Sequence, residues 1–227
     1  MQSLFRGQLP ELVLFDLDGT LLDSVPDLAL ATDQMLQALQ LEPAGETVVR
    51  SWVGNGAQVL VQRALTGQQD PDISSIDPDL FERAFTLFLD CYGKCSAERS
   101  QLYPGVLEYL DWLSSRDVKM GLVTNKPIRF TLPLLETFNL DRYFGLVLGG
   151  DSLEQKKPDP LPLQHAMHEF SSMPDMTLMV GDSKSDIRAA QAAGCPVVAV
   201  TYGYNHGEPV ADYAPDLIVD NLLELLV

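Results

Sequence analysis

The hydrophobic pattern changes character twice along the chain. Leu12 to Phe15 is apolar at every position, which predicts a short strand buried on both faces of a parallel sheet. From Val25 onward the apolar residues fall at helical spacing. Leu28, Ala31, Met35 and Leu39 mark a helix over 25–41, with Pro26 suited to its first turn. Short helices are predicted over 47–52 and 57–65, separated by Gly54-Asn55-Gly56, and a longer one over 80–95 after a polar loop at 68–78. No strand is predicted between residues 24 and 97. Beyond Tyr103, helices (104–115, 127–138, 160–169, 185–193) alternate with strands (119–124, 146–148, 177–180, 197–200, 217–219). Alternation of this kind predicts an α/β fold, a parallel sheet covered by helices on both faces. The first strand belongs to that sheet, so residues 1–23 and 98–227 form the core and 24–97 an α-helical insertion. An insertion placed directly after a strand's carboxyl end lies where open α/β sheets bind ligands, in the position of a lid.

Polar residues gather at the ends of the predicted strands. Asp16 and Asp18 follow the first one; while the backbone stays extended, residues two apart face the same way, and Gly19 then lets the chain turn. Thr124 and Asn125 close the strand at 119–124 ahead of Pro127, placing a hydroxyl and an amide near a helix start, where anions are favoured. Lys157 sits among prolines in Lys156-Lys157-Pro158-Asp159-Pro160, held before a helix and able to reach into a site. In Gly181-Asp182-Ser183-Lys184-Ser185-Asp186, a second buried strand ends in an acid with another four residues on, near one helix face. Paired carboxylates suit Mg²⁺, which takes one or two of them and keeps several waters.

Composition narrows the partners. At 227 residues the chain can hold a core with a smaller insert, and 46% apolar with 21% charged residues describes an ordinary globular protein. A net charge of −17 argues against nucleic acid or an anionic membrane as partner, and it requires any phosphate site to be made locally positive. Three cysteines without a repeated spacing fit a reducing cytoplasm, with Cys91 and Cys95 packing one turn apart on a helix. No apolar run reaches the ~18 residues of a membrane span, and Met1 to Pro10 lacks the apolar segment of a secretory signal. The oligomeric state is left open.

Taken in order, Asp16-Leu17-Asp18-Gly19-Thr20, Thr124, Lys157 and Gly181-Asp182-x-x-x-Asp186 resemble the four motifs of the haloacid dehalogenase (HAD) superfamily. The resemblance covers essentially the whole chain. It implies a Rossmann-like core with a small α-helical cap. Trp52-Val53-Gly54-Asn55-Gly56-Ala57, Tyr103-Pro104-Gly105-Val106, the lysine–proline stretch and Tyr213-Ala214-Pro215-Asp216 are most similar to bacterial phosphoglycolate phosphatases within it. The resemblance implies a Mg²⁺-dependent phosphomonoester hydrolase acting on a small phosphomonoester, phosphoglycolate favoured. Asp16 would be the nucleophile that becomes an aspartyl phosphate, and Asp18 the acid and then the base. Thr124 and Asn125 would hold phosphoryl oxygens and Lys157 would supply charge. Mg²⁺ would be held by Asp16, the Asp18 carbonyl and Asp182, with Asp186 a further ligand or an orienting group. The carboxylate of a two-carbon substrate would then fall to the cap, where Gly54, Asn55 and Gly56 precede a helix whose first N–H groups are free.

Rival readings are a sugar-phosphate phosphatase or phosphoglucomutase, which share this chemistry, and a receiver-like phosphoacceptor module. Asp18 and the cap oppose the last, since a signalling module keeps its phosphoryl group. Dehalogenases of the superfamily lack an acid at Asp18's place. Gly54-x-Gly56 follows no strand and lacks a third glycine, so no dinucleotide site is expected, and there is no nucleotide P-loop. His165 and His168 are expected at the surface and His206 in a loop.

Overall fold

The computed structural model describes residues 2–226, so Met1 and Val227, the outermost residues of the expected core, lie outside the described residues. In chain order the elements are β1 (Leu12–Phe15), β2 (Leu22–Asp23), α1 (Val25–Ala38), α2 (Glu46–Trp52), α3 (Ala57–Thr66), α4 (Pro78–Cys95) and β3 (Gln101–Leu102). There follow α5 (Val106–Ser114), β4 (Lys119–Val123), α6 (Ile128–Thr137), β5 (Leu146–Leu148), α7 (Leu161–Phe170), β6 (Thr177–Gly181), α8 (Lys184–Ala193), β7 (Val197–Val200) and β8 (Leu217–Val219).

Six strands form one parallel sheet in the order β5-β4-β1-β6-β7-β8. β1 is central, with Leu12 to Phe15 in register against Lys119 to Leu122 on one side and Thr177 to Val180 on the other. Its alternation explains the unbroken apolar run. Val13 and Phe15 pack into the cluster on one face, with Tyr109, Leu110 and Leu113 of α5. Leu12 and Leu14 pack into the other, with Leu163 of α7 and Ile187 of α8. Because β4 and β5 are laid down on one side of β1 and β6 to β8 on the other, the carboxyl end of β1 opens the crevice in which such sheets bind ligands.

Helices α1 to α4 bury a separate apolar cluster built on Met35, Leu36, Val49, Leu60, Val61 and Phe88. Two very short strands, unseen in the sequence pattern, lie at the two ends of this helical stretch. β2 and β3 pair antiparallel through Leu22↔Leu102 and Asp23↔Gln101, so the chain departs and returns side by side. Asp27, fully buried in α1, ties the return by accepting hydrogen bonds from Arg99 N (2.9 Å), Ser100 N (2.9 Å) and Ser100 Oγ (2.5 Å).

Candidate active site

β1 delivers Asp16 at the moment the strand ends: Asp16 N still donates to Val180 O at 3.0 Å, and the side chain is 13% exposed. Lys157 reaches it from the segment before α7. Its ammonium, 1% exposed, lies 3.0 Å from Asp16 Oδ1 and 2.6 Å from Asp186 Oδ1, and donates to Val123 O at 2.5 Å. Asp182 follows β6 and is anchored on both oxygens: Thr20 Oγ donates to Oδ1 (2.9 Å) and Tyr204 N to Oδ2 (2.5 Å). Gly19 and Gly203 press against it, and a Cβ on Gly203 would stand 2.2 Å from the Asp182 Cβ. Only glycine allows that approach.

Asp186 belongs to the first turn of α8 and is wholly buried. Its Oδ2 accepts from Ser183 Oγ (2.7 Å), Ser183 N (3.0 Å) and Asp182 N (3.3 Å), a capping-box arrangement, while Oδ1 receives Lys157. Protein donors therefore occupy both oxygens. Asp186 fixes the Asp182 loop and the lysine.

Asp16, Asp182 and Asp186 each place an oxygen within 4.8 Å of the others. Oxygens bound about 2.1 Å from one Mg²⁺ lie within about 4.2 Å of each other, so modest inward movement would satisfy a hard cation. The electrostatics agree. Burial, with help from Asp186 and Asp18 and against Lys157, pushes the Asp16 carboxyl up from 3.8 to about 6. Burial, Asp186 and Asp16 likewise hold Asp182 well above the usual carboxylate range. Burial pulls the Lys157 pKa down, yet Asp16 and Asp186 raise it above the ordinary value. Three buried acids with one lysine among them form a cluster short of positive charge, and Asp16 Oδ1 accepts no hydrogen bond of good geometry. That donor set fits a divalent cation.

Asp18 is not part of this cluster. Its Oδ1 accepts from Ser24 Oγ at 2.5 Å, and both oxygens lie 3.0 Å from Lys126 Nζ. Lys126, directly after Asn125, is the functional-looking residue that the sequence reading passed over; its side chain is 3% exposed. Burial opposes its charge, but Asp18 and Tyr92 hold its pKa above the ordinary value. The local signal was available, because Lys126-Pro127 repeats the lysine-before-proline pattern of Lys157-Pro158. Thr124 is buried at the end of β4, and its Oγ accepts from Lys126 N at 3.3 Å. Asn125 Nδ2 donates to Lys157 O (2.9 Å), tying the lysine's segment to β4, while its Oδ1 is buried without a partner.

Over this edge stand α1, α3 and α4, leaving a cavity of about 50 Å³. Asp16, Asp18, Thr124, Asn125 and Lys126 form its floor, and Leu28, Leu60, Phe88, Tyr92 and Phe130 its apolar walls. Of the turn between α2 and α3, Gly54 (φ 124°) and Gly56 (φ 91°) line it. Asn55 does not; its carbonyl accepts from Lys156 Nζ at 3.1 Å and its Oδ1 is buried unpaired. His206 lies in a loop, as expected, and is half-buried there. Its Nδ1 is 3.0 Å from Ser51 O, its ring lies against Gly54, and burial lowers its pKa. His168 is exposed, as expected.

The chain matches the family model for haloacid dehalogenase-like hydrolases over residues 13–200. It is 52% identical over 225 residues to the phosphoglycolate phosphatase of Pseudomonas putida, covering 99% of this chain and 82% of the relative. A phosphoglycolate phosphatase of Nitrosococcus oceani is 47% identical, covering 95% of each. The crystal structure of a predicted phosphoglycolate phosphatase from Haemophilus somnus superposes with a TM-score of 0.89 at 41% identity, covering 95% of this chain and 96% of that one. With the match spanning Asp16, Thr124, Lys157 and Asp182, the chain belongs to the haloacid dehalogenase-like hydrolase family.

Proposed function

We propose that the protein is a Mg²⁺-dependent phosphomonoesterase whose substrate is 2-phosphoglycolate. The observation that carries the reading is the buried meeting of Asp16, Asp182, Asp186 and Lys157 beneath a small cavity that Asp18 also enters. Relatives near 50% identity bear the phosphoglycolate phosphatase name.

In this reading an Asp16 oxygen attacks phosphorus, forming the aspartyl P–O bond as the ester oxygen leaves with the proton of Asp18. Asp18, now ionised, takes a proton from water as that water attacks the same phosphorus, releasing phosphate and restoring Asp16. Thr124 and Lys157 orient the phosphoryl oxygens. Asp16, Asp182 and the Asp18 carbonyl would hold Mg²⁺, with Asp186 setting the positions of Lys157 and Asp182. Bound there, the cation supplies charge that favours ionised Asp16 and the developing phosphoryl charge. Together with Lys157 it balances the three carboxylates. Residues 24–97 act as the cap, with Gly54 and Gly56 bringing the first turn of α3 over the substrate. The three cysteines are unpaired, in keeping with a reducing cytoplasm.

Phosphate release from a panel of small phosphomonoesters, with Mg²⁺ and with EDTA, tests the proposal. The expected result is a kcat/KM for phosphoglycolate above those for sugar phosphates, lost in EDTA and restored by Mg²⁺. Higher kcat/KM on hexose phosphates, or metal-independent turnover, would overturn it.

A further inference from the structure

Lys126 is the one cationic side chain among the residues lining the cavity, and the steps above leave it without a task. It is too deeply buried to be a solvated surface lysine. It touches both oxygens of Asp18, and its Nζ lies 4.7 Å from the ring centre of Tyr92, across the cleft on α4. The Tyr92 hydroxyl is buried beside Lys126, which can only donate toward it, so its own O–H meets no acceptor. A buried hydroxyl left unpaired costs about 1–3 kcal/mol, so the place invites a ligand acceptor. Leu28, Phe88 and Phe130 around the pair are apolar and would strengthen any ionic contact made there.

We propose that Lys126 and Tyr92 together form the subsite that reads the carboxylate of the substrate's leaving group. The inference rests on the phosphomonoesterase reading and names what selects the substrate. In a two-carbon acid one methylene separates the carboxylate from the ester oxygen. The group that reads the carboxylate must therefore be a neighbour of the group that protonates that oxygen, and Lys126 is in contact with Asp18. An ammonium and a phenolic O–H together offer a carboxylate donors for both its oxygens. One donor comes from the end of β4 and the other from α4, so the carboxylate would bridge core and cap and draw the cleft closed around it. The N–H groups at the start of α3 carry only partial charge; the full positive charge facing the substrate's carboxylate is that of Lys126.

The experiment compares phosphoglycolate with ethyl phosphate, which keeps the ester and lacks the carboxylate. Any damage to Asp18 slows both and cancels in the ratio of the two kcat/KM values. Lys126→Met should lower that ratio by about 10- to 100-fold, the range for a lost charged hydrogen bond, and Tyr92→Phe by about 3- to 10-fold. Lys126→Arg, which keeps the charge, should recover part of the loss. Circular dichroism and Mg²⁺ affinity of each variant establish that fold and metal site persist. If Lys126→Met fails to fold, Tyr92→Phe carries the test alone. An unchanged ratio in Tyr92→Phe and in a folded Lys126→Met would show that Lys126 serves only to hold Asp18, overturning the inference while the phosphatase reading stands. If the wild-type protein hydrolyses neither ester, both fall.

Discussion

Replacing Asp16 by Asn should make the metal-free protein more stable at neutral pH, although it removes one partner of a buried ion pair. Two effects compete. Taking a carboxylate from a buried lysine can cost about 3–5 kcal/mol when the lysine is left alone. Lys157 is not left alone, since it keeps Asp186 at 2.6 Å and the Val123 carbonyl at 2.5 Å. Against that loss stands the penalty on ionised Asp16 itself. Its carboxyl sits at about 6 instead of 3.8, because burial outweighs the pull of Lys157. A folded-state pKa raised above the unfolded value means stability that is present below pH 3.8 and lost as pH rises through about 6. The difference corresponds to about 3 kcal/mol by pH 7. A neutral amide at position 16 behaves as the protonated acid at every pH and escapes that loss.

The assay is chemical denaturation of wild type and Asp16→Asn in EDTA between pH 4 and 8. The stability difference should be near zero at pH 4 and grow in favour of the variant to about 3 kcal/mol at pH 7, or roughly 6–12 °C in melting temperature for a chain of this size. His206 contributes in the opposite sense, since its lowered pKa costs stability as pH falls through its ordinary value of 6.5, but it is present in both proteins. So is the repulsion among surface acids. Saturating Mg²⁺ should then reverse the order by binding wild type more tightly. A difference that does not change with pH, or a variant less stable than wild type at pH 7 in EDTA, would refute the reasoning. It would show that the attraction of Lys157 exceeds the cost of burial.

Three other outcomes are expected. Asp18→Asn should slow ethyl phosphate about 100-fold more than p-nitrophenyl phosphate, whose leaving group needs little protonation; equal losses measured by phosphate release would deny Asp18 the acid's role. Gly203→Ala puts a Cβ 2.2 Å from the Asp182 Cβ and should weaken Mg²⁺ about 10- to 100-fold in calorimetric titration with the fold retained, whereas unchanged affinity would remove Asp182 from the metal site. Asp27→Asn spoils the carboxylate that holds Arg99 and Ser100 and should cost about 2–4 kcal/mol in urea denaturation with kcat nearly preserved. A loss below about 0.5 kcal/mol would mean the return segment is held otherwise.

The sheet was legible because its strands are short runs dominated by apolar residues, unbroken in β1, β5, β7 and β8, that end abruptly. β5 and β8 fall at 146–148 and 217–219, where the pattern predicts them. β2 and β3 were not legible for an equally physical reason: two residues each give no alternation to detect, and their pairing joins positions nearly eighty residues apart. At the site, the acids and Lys157 announced themselves through spacing and prolines, and the structure brings Asp16, Asp182, Asp186 and Lys157 within contact. What spacing could not tell was how each oxygen is used. Spacing alone gives Asp186 no single role; in the structure its oxygens accept from Ser183 and Lys157, the observation on which its proposed orienting role rests. Asn55 looked equivalent to its flanking glycines, yet the turn at positive φ carries its side chain out of the cavity lining.

Lys126 shows best why one kind of signal is not enough. Both lysines precede prolines at the ends of core segments, and both are buried against acids. Their surroundings separate them. Lys157 is closed in by Asp16, Asp186 and the Val123 carbonyl, all from the core, and reaches no apolar wall of the cleft. Lys126 meets Asp18 on one side and the face of the Tyr92 ring of α4 on the other. In a chain of net charge −17, an anionic substrate gains nothing from the average field and must find its positive charge locally. In the proposed reading one cation serves where the phosphoryl group is transferred and a second where α4 meets the sheet edge, which divides that charge between chemistry and selection. The first is fixed by core residues alone. The second depends on α4 meeting Lys126 and Phe130, beyond the end of β4, a fact of tertiary structure that no local pattern in the sequence encodes.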